Sequence, residues 1–210
     1  NGDYGSNKVK FGAYYGGSSK RNIKNVDLKN NRKNTWGTGL IFDHEIDSIQ
    51  NVTVAAGFTR EISENANKTA YYSNAYALGL AYNFVHTTYG LDFAHKDTKN
   101  KDGAGNKVKN NEVTAVIRQG LNEDWNVYAM YSYKTEKTLP VGSAYSKSTD
   151  RQFLVGTEYY VYNQGSLKVK PFLEWQATRT KYENTFDKDS GKQLDRSRDF
   201  KTVIGLRAYW

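Results

Sequence analysis

The chain has 210 residues, 38% of them hydrophobic and 25% charged, with two prolines, no cysteine and a formal net charge of +8. The length is that of one domain, and the lack of cysteine excludes disulfides, thiolate metal sites and cysteine nucleophiles together. No uninterrupted apolar run of about 18 residues exists, which excludes a transmembrane helix but not membrane-spanning strands, where only alternate residues need be apolar.

Ten segments alternate with period two, and strands are predicted at 7–19, 34–44, 51–63, 70–84, 86–97, 109–120, 124–137, 150–162, 166–182 and 198–210. In the first, Val9, Phe11, Ala13 and Tyr15 oppose Lys8, Lys10, Gly12 and Tyr14. In 51–63, Val52, Val54, Ala56 and Phe58 oppose Thr53, Ala55, Gly57, Thr59 and Glu61. In 70–84, Tyr76, Leu78, Leu80, Tyr82 and Phe84 face away from Ala75, Ala77, Gly79, Ala81 and Asn83. Trp125, Val127, Ala129, Tyr131 and Tyr133 form the apolar side of 124–137, and Val169, Leu173, Trp175 and Ala177 that of 166–182. Each apolar face runs for about 9–11 residues, the length a tilted strand needs to cross hydrocarbon.

The links between segments alternate in length. Those after the second, fourth, sixth and eighth are short: Glu45–Gln50, the junction at Val85, Leu121–Glu123 and Asn163–Gly165. Most of the others are longer and rich in Asn, Lys, Asp, Gly and Ser, as in 20–33, 97–107, 138–148 and 183–197. An even number of strands puts both termini on the short-turn side, as single-chain bacterial barrels require. Splitting 20–33 into another hairpin gives twelve strands instead of ten.

Alternation alone does not decide whether the apolar face turns inward, as in a soluble barrel, or outward to lipid. Three features favour lipid. The aromatic content is 14%, including 17 tyrosines, and aromatics stand near strand ends at Trp36, Tyr82, Phe84 and Trp125; such rings suit a membrane interface. The loops are asymmetric. The closing strand sets Phe200, Thr202, Ile204, Leu206, Ala208 and Trp210 against Lys201, Val203, Gly205, Arg207 and Tyr209, with an aromatic at the apolar terminus. That strand resembles the C-terminal strand of bacterial outer-membrane barrels, whose terminal aromatic, usually Phe and here Trp, is read during assembly. The expected fold is one domain over residues 1–210: an all-β, transmembrane, antiparallel up-and-down β-barrel of ten strands, with short periplasmic turns and long extracellular loops. The resemblance implies a bacterial outer-membrane location. It also implies contact with the lipid bilayer and lipopolysaccharide, and delivery by the barrel-assembly machinery through the C-terminal strand. No signal peptide is legible at Asn1, so an exported chain is represented here in its mature form.

The face opposite the apolar one carries the charges: Lys8, Lys10, Glu61, Asp92, Arg118, Lys134, Glu158, Lys168, Lys170, Glu174, Lys201 and Arg207, with Asp43 and Glu112. Ionisable groups at membrane depth need water or partners, so these are the expected pore-lining residues. In a closed barrel the first and last strands are neighbours. Lys8, Lys10, Lys168, Lys170, Lys201 and Arg207 then form one basic stripe, or, alternatively, a salt-bridge network with the carboxylates. Glycine and alanine recur at the same phase (Gly12, Gly37, Gly39, Gly57, Gly79, Gly90, Gly156, Gly205), either to keep a bore open or to make room for Tyr14, Tyr128, Tyr160, Phe172 and Tyr209. In architecture the whole chain is similar to the small monomeric porins of Gram-negative bacteria, of the oligogalacturonate-porin type with basic bores. That family is described with twelve strands against ten here, and no motif carries its sugar-binding residues onto this sequence.

Catalytic chemistry is sparse. The histidines are His44, His86 and His95; Asp97 follows His95 by two residues, and an Asp–His pair of that kind can activate water. There is no G-x-S-x-G, no H-E-x-x-H and no phosphate-cradling glycine loop before a helix, Gly103 and Gly105 lying in a polar loop. The acidic loops 97–103 and 187–195 lack the spacing of a calcium site and read as turns. The basic residues are dispersed over loops and strands, which argues against nucleic acid. The expected function is a non-enzymatic porin without cofactor or metal, passing small hydrophilic solutes with a weak preference for anions. The alternatives are a closed barrel serving as adhesin or surface structural protein, and an outer-membrane hydrolase.

Overall fold

A computed structural model describes residues 2–4, 6–17, 31–65, 68–100, 106–142, 144–164, 167–186 and 191–209. All regular structure among them is β: β1 (Gly2–Tyr4), β2 (Asn7–Gly16), β3 (Asn31–Asp47), β4 (Gln50–Asn65), β5 (Lys68–Phe84), β6 (Thr87–Asn100), β7 (Lys107–Gly120), β8 (Trp125–Leu139), β9 (Ser146–Tyr159), β10 (Tyr162–Gln164), β11 (Leu167–Glu183) and β12 (Arg196–Tyr209). Every pairing is antiparallel, and the strands join sequential neighbours in one sheet. Two pieces are short. β10 continues β9 after a one-residue shift in pairing with β11, between Glu158↔Phe172 and Tyr162↔Val169. β1 lies along the free edge of β2 through Gly2↔Val9. The architecture is therefore ten long up-and-down strands, as the alternation predicts. β2 and β12 are the outermost long strands, and no pairing joins them among the described residues.

The predicted segments coincide with the ten long strands to within a few residues at each end. The strand expected from 34 begins at Asn31 and runs on to Asp47, because Asp47 and Gln50 close a two-residue turn. The Asp47 carboxylate accepts the Ile49 amide (2.9 Å) and the Gln50 side-chain amide (2.8 Å). His86, expected to open a strand, sits in the turn before Thr87. In the β7–β8 turn the Asn122 side-chain oxygen accepts the amides of Asp124 (3.0 Å) and Trp125 (2.8 Å), an Asx turn. Residues 20–30 of the possible extra hairpin, 101–105 and 187–190 of the loops at 97–107 and 187–195, and Trp210 lie outside the described residues.

Among the described residues the sheet has no second layer and no apolar centre. The side chains buried there are polar or charged, Ser63, Ser73, Ser132, Thr149, Glu158 and Lys170, whereas Phe11 is 66%, Leu78 53% and Ile204 80% exposed. The greasy residues do not converge; they share one bare face. Cross-strand register shows how they are arranged. Phe11, Leu40, Ala56, Leu78, Phe93, Val113 and Tyr133 stand side by side from β2 to β8, and the same row continues as Arg151, Arg179 and Arg198 on β9, β11 and β12. The apolar band thus crosses the hydrogen-bond rows obliquely, as it must if the strands tilt relative to the band. Its border toward the long loops is aromatic on nine strands: Tyr15, Trp36, Phe58, Tyr76, Phe93, Tyr133, Phe153, Trp175 and Phe200, with Val113 on β7. Neighbouring rings touch, Trp36–Phe58 and Phe58–Tyr76 at 5.0 Å and Trp175–Phe200 at 6.2 Å between centroids.

One turn is strained. Val85, between β5 and β6, has φ 54°, a left-handed conformation that a β-branched side chain adopts at a cost. Its side chain is more than half exposed, so little burial is lost on replacement. Val85→Asn is expected to raise stability by about 1 kcal/mol, read as a shift of the urea unfolding midpoint.

Candidate functional site on the polar face

All twelve expected pore-lining residues fall on the face opposite the apolar band. In register, Lys8 aligns with Asp43 and Lys10 with Ile41; Lys134 pairs with Glu112 and Asp150, and Lys201 with Gln176. Five of the twelve meet. Arg118 on β7 donates to Glu158 Oε1 at 2.6 Å, and Lys170 Nζ on β11 reaches the same oxygen at 2.9 Å. Arg207 on β12 bridges the carboxylates, with Nη1 3.1 Å from Glu158 Oε2 and Nη2 2.9 Å from Glu174 Oε1. The Tyr128 hydroxyl donates to Glu174 Oε1 at 2.6 Å. Glu158 and Lys170 are buried, with side chains 4% and 7% exposed. Several of these contacts skip a strand (β7 to β9, β8 to β11, β9 to β12), so the polar face is concave enough for long side chains to meet over it.

Aromatic rings complete the cluster. Lys170 Nζ lies 5.0 Å from the Tyr160 ring centroid and 5.3 Å from that of Tyr209; Arg207 lies 4.1 Å from that of Phe172. Two glycines make this possible. A Cβ on Gly156 would stand 2.5 Å from the Tyr128 ring, and one on Gly205 would run into Phe172. Here the small residues serve packing. Gly12, Gly39 and Gly57 form one cross-strand row on β2–β4, and an added Cβ there meets nothing closer than 3.7 Å. There they leave open space. Each of the two readings of the glycines holds at its own positions, for on β3 Gly37 makes room for the Tyr14 ring while Gly39 leaves space open.

Three hollows lie along the open sector. A hollow of about 510 Å³ at the short-turn end is lined by Lys8, Asp43, Asn51, Asn83 and His86. A second, of about 680 Å³, lies over Gly12, Gly39, Gly57 and Gly79. A third, of about 510 Å³, sits toward the long loops beside Lys96, Glu112, Lys134 and Glu136. The polar face is therefore divided into a packed charged half on β7–β12 and a bare trough along β2–β8.

Of the two arrangements expected for these cations, the salt-bridge network is seen for some of them. Lys170 and Arg207 are held by carboxylates, and Lys10 lies 3.7 Å from Asp43. Among the described residues Lys8, Lys134, Lys168 and Lys201 make no ion pair. With three cations (Arg118, Lys170, Arg207) against two carboxylates (Glu158, Glu174), the network carries a net +1 when fully ionised. Glu61 accepts from the Tyr71 hydroxyl at 3.1 Å, and Asp92 fills the space that Gly79 leaves. The role of Tyr128 was not legible as a charge partner: its phase puts it on the polar face, but its carboxylate comes from a strand two places away.

His95 and Asp97 are in contact (3.2 Å), and Asn111 holds the other ring nitrogen of His95 (2.6 Å). Both stand on the apolar-band face at its long-loop border, away from the trough. No group of three or more potential metal ligands occurs among the described residues. No protein-family model matches the chain, and no curated protein matches it in sequence.

Removing one partner of a buried pair strands the other. Glu158→Gln is expected to cost about 3–5 kcal/mol in urea unfolding, and Glu158→Gln with Lys170→Met to recover most of that loss. Equal loss in the single and double variants would show that the pair contributes nothing.

Proposed function

We propose that β12 meets β2 to close the sheet into an outer-membrane β-barrel, and that this barrel is a channel for small hydrophilic solutes with a weak preference for anions. The observation that carries the reading is the continuous, exposed apolar band, bordered by aromatics, on a single-layer sheet without an apolar centre. Water would leave that band unsatisfied; acyl chains match it, and interfacial rings match its edge. The long strands, at 14–17 residues for most, span about 46–56 Å at 3.3 Å per residue. Even tilted they outrun the hydrocarbon, which suits long loops standing clear of one surface.

Conduction follows the trough. Solute passes along the glycine-lined side of β2–β6 while the network braces the opposite wall. The net charge of the network and the unpaired Lys8, Lys134, Lys168 and Lys201 make the path modestly attractive to anions, and the interspersed Asp43, Asp92, Glu112 and Glu136 keep the preference weak. The buried Glu158–Lys170 pair favours a second reading, a barrel filled by its own side chains that serves as an adhesin or surface scaffold.

Planar-bilayer recording separates the two. The channel gives stable ion steps; a filled barrel gives none. Gly57→Leu places a side chain in open space and is expected to cut the step conductance roughly by half. In the same recordings Lys134→Glu with Lys201→Glu shifts the preference toward cations. The membrane assignment has its own test. Leu80→Arg, at the middle of the band, should cost about 2–4 kcal/mol in lipid vesicles. A change within about 0.5 kcal/mol, typical of a water-facing site, would overturn the assignment.

A further inference from the structure

Beyond the aromatic border on β8–β12 the outer face turns abruptly basic. Arg151, Arg179 and Arg198 stand directly opposite one another on three adjacent strands. The next row toward the long loops is Thr149, Lys181 and Arg196, and Lys147 pairs in register with Glu183 one row further. Side chains opposed in this way are close neighbours, and like charges there destabilise a sheet unless something neutralises them. The chain supplies little neutralisation. Glu183 lies 3.7 Å from Lys147 and 3.6 Å from Lys181, and Asp195 lies 3.7 Å from Arg196. Arg151 lies 6.0 Å from the Tyr133 ring and has no carboxylate partner among the described residues. Arg179 and Arg198 have no carboxylate among the described residues. Six cations (Lys147, Arg151, Arg179, Lys181, Arg196, Arg198) face two carboxylates, a local excess of four positive charges out of the chain's +8.

The place is shaped as well as charged. A cleft of about 290 Å³ opens between Tyr133, Arg151, Arg179, Lys181 and Arg196. Thr149, only 8% exposed, lies in its lining. The row nearest the apolar band is all arginine, whose planar fork binds phosphate in bidentate fashion. Directly below it come Tyr131, Phe153, Ala177 and Phe200. A ligand that fills both levels has phosphate at one end and hydrocarbon at the other.

We propose that this cleft binds the phosphate groups of a phosphorylated glycolipid in the leaflet at the long-loop end, with the lipid's chains lying on Tyr131, Phe153 and Phe200. The inference rests on the membrane-barrel reading above and gives the barrel a preferred lipid neighbour on one flank, β8–β12, rather than around its whole girth. A free anion would need the arginines but not the aromatic ledge. An anionic phospholipid would engage fewer of the cations than a glycolipid bearing two phosphates.

The test uses the full chain refolded in phosphatidylcholine nanodiscs containing diphosphoryl lipid A, its dephosphorylated form or phosphatidylglycerol, with retained lipid counted by native mass spectrometry. Retention of diphosphoryl lipid A is expected to exceed that of the other two by at least about tenfold, one bidentate phosphate contact being comparable to a charged hydrogen bond. Arg151→Gln with Arg179→Gln and Arg198→Gln should abolish the difference; the corresponding triple lysine variant, which keeps the charge and the fold, should keep part of it. Equal retention of the dephosphorylated lipid, or an unaffected glutamine variant, overturns the proposal. Displacement of the lipid by millimolar inorganic phosphate overturns it in favour of a simple anion site. Flotation of the wild type with pure phosphatidylcholine vesicles is measured alongside. A chain that floats but shows no headgroup preference defeats this inference alone, and one that does not float defeats the membrane reading and this inference together.

Discussion

A single sheet has two faces and nothing of its own to cover either. Every other feature of this protein follows from that constraint. Period-2 alternation sorts apolar side chains to one face and polar ones to the other, and the antiparallel ladder satisfies the backbone of all but the edge strands. With no helix or second sheet packed against it, the apolar face must find its partner outside the chain. The face is bordered by rings rather than by charge, and the proposed lipid partner rests on that border.

The oblique course of the band gives this argument its geometric content. A row of directly paired residues that starts as Phe11 and Leu40 ends as Arg179 and Arg198. If the strands stood upright relative to the band, those arginines would sit at the depth of phenylalanines. Tilt removes the conflict: each strand enters and leaves the apolar layer at its own residues, and the aromatic border steps along with it. The same step lifts the arginines of β9, β11 and β12 just clear of the apolar band.

The polar face answers a different requirement. Charges there are tolerable only with water or with each other, and the sheet uses both solutions side by side. On β7–β12 glycine makes room for Tyr128 and Phe172, and two glutamates gather three cations into a cluster around the buried Glu158–Lys170 pair. At Gly12, Gly39 and Gly57 on β2–β4 nothing stands close above the glycine and the space stays open. One residue type thus has opposite consequences, decided by whether the neighbouring strand offers a large side chain at the same level.

The sequence alone located the ten long strands to within a few residues, their antiparallel order and which residues share a face, because all of these depend on alternation and on turn residues that act within a few positions. Asp47, Asn122 and the polar loops marked the turns locally, and the phase of Lys170 or Glu158 was readable without any neighbour. Only the tertiary structure decided that Glu158 gathers Arg118, Lys170 and Arg207, that Gly57 faces a void while Gly156 supports a ring, and that three arginines from separate segments stand in a row. Those facts depend on register between strands and on contacts that reach past the adjacent strand. Register is fixed by the summed fit of whole strands, which no single segment records.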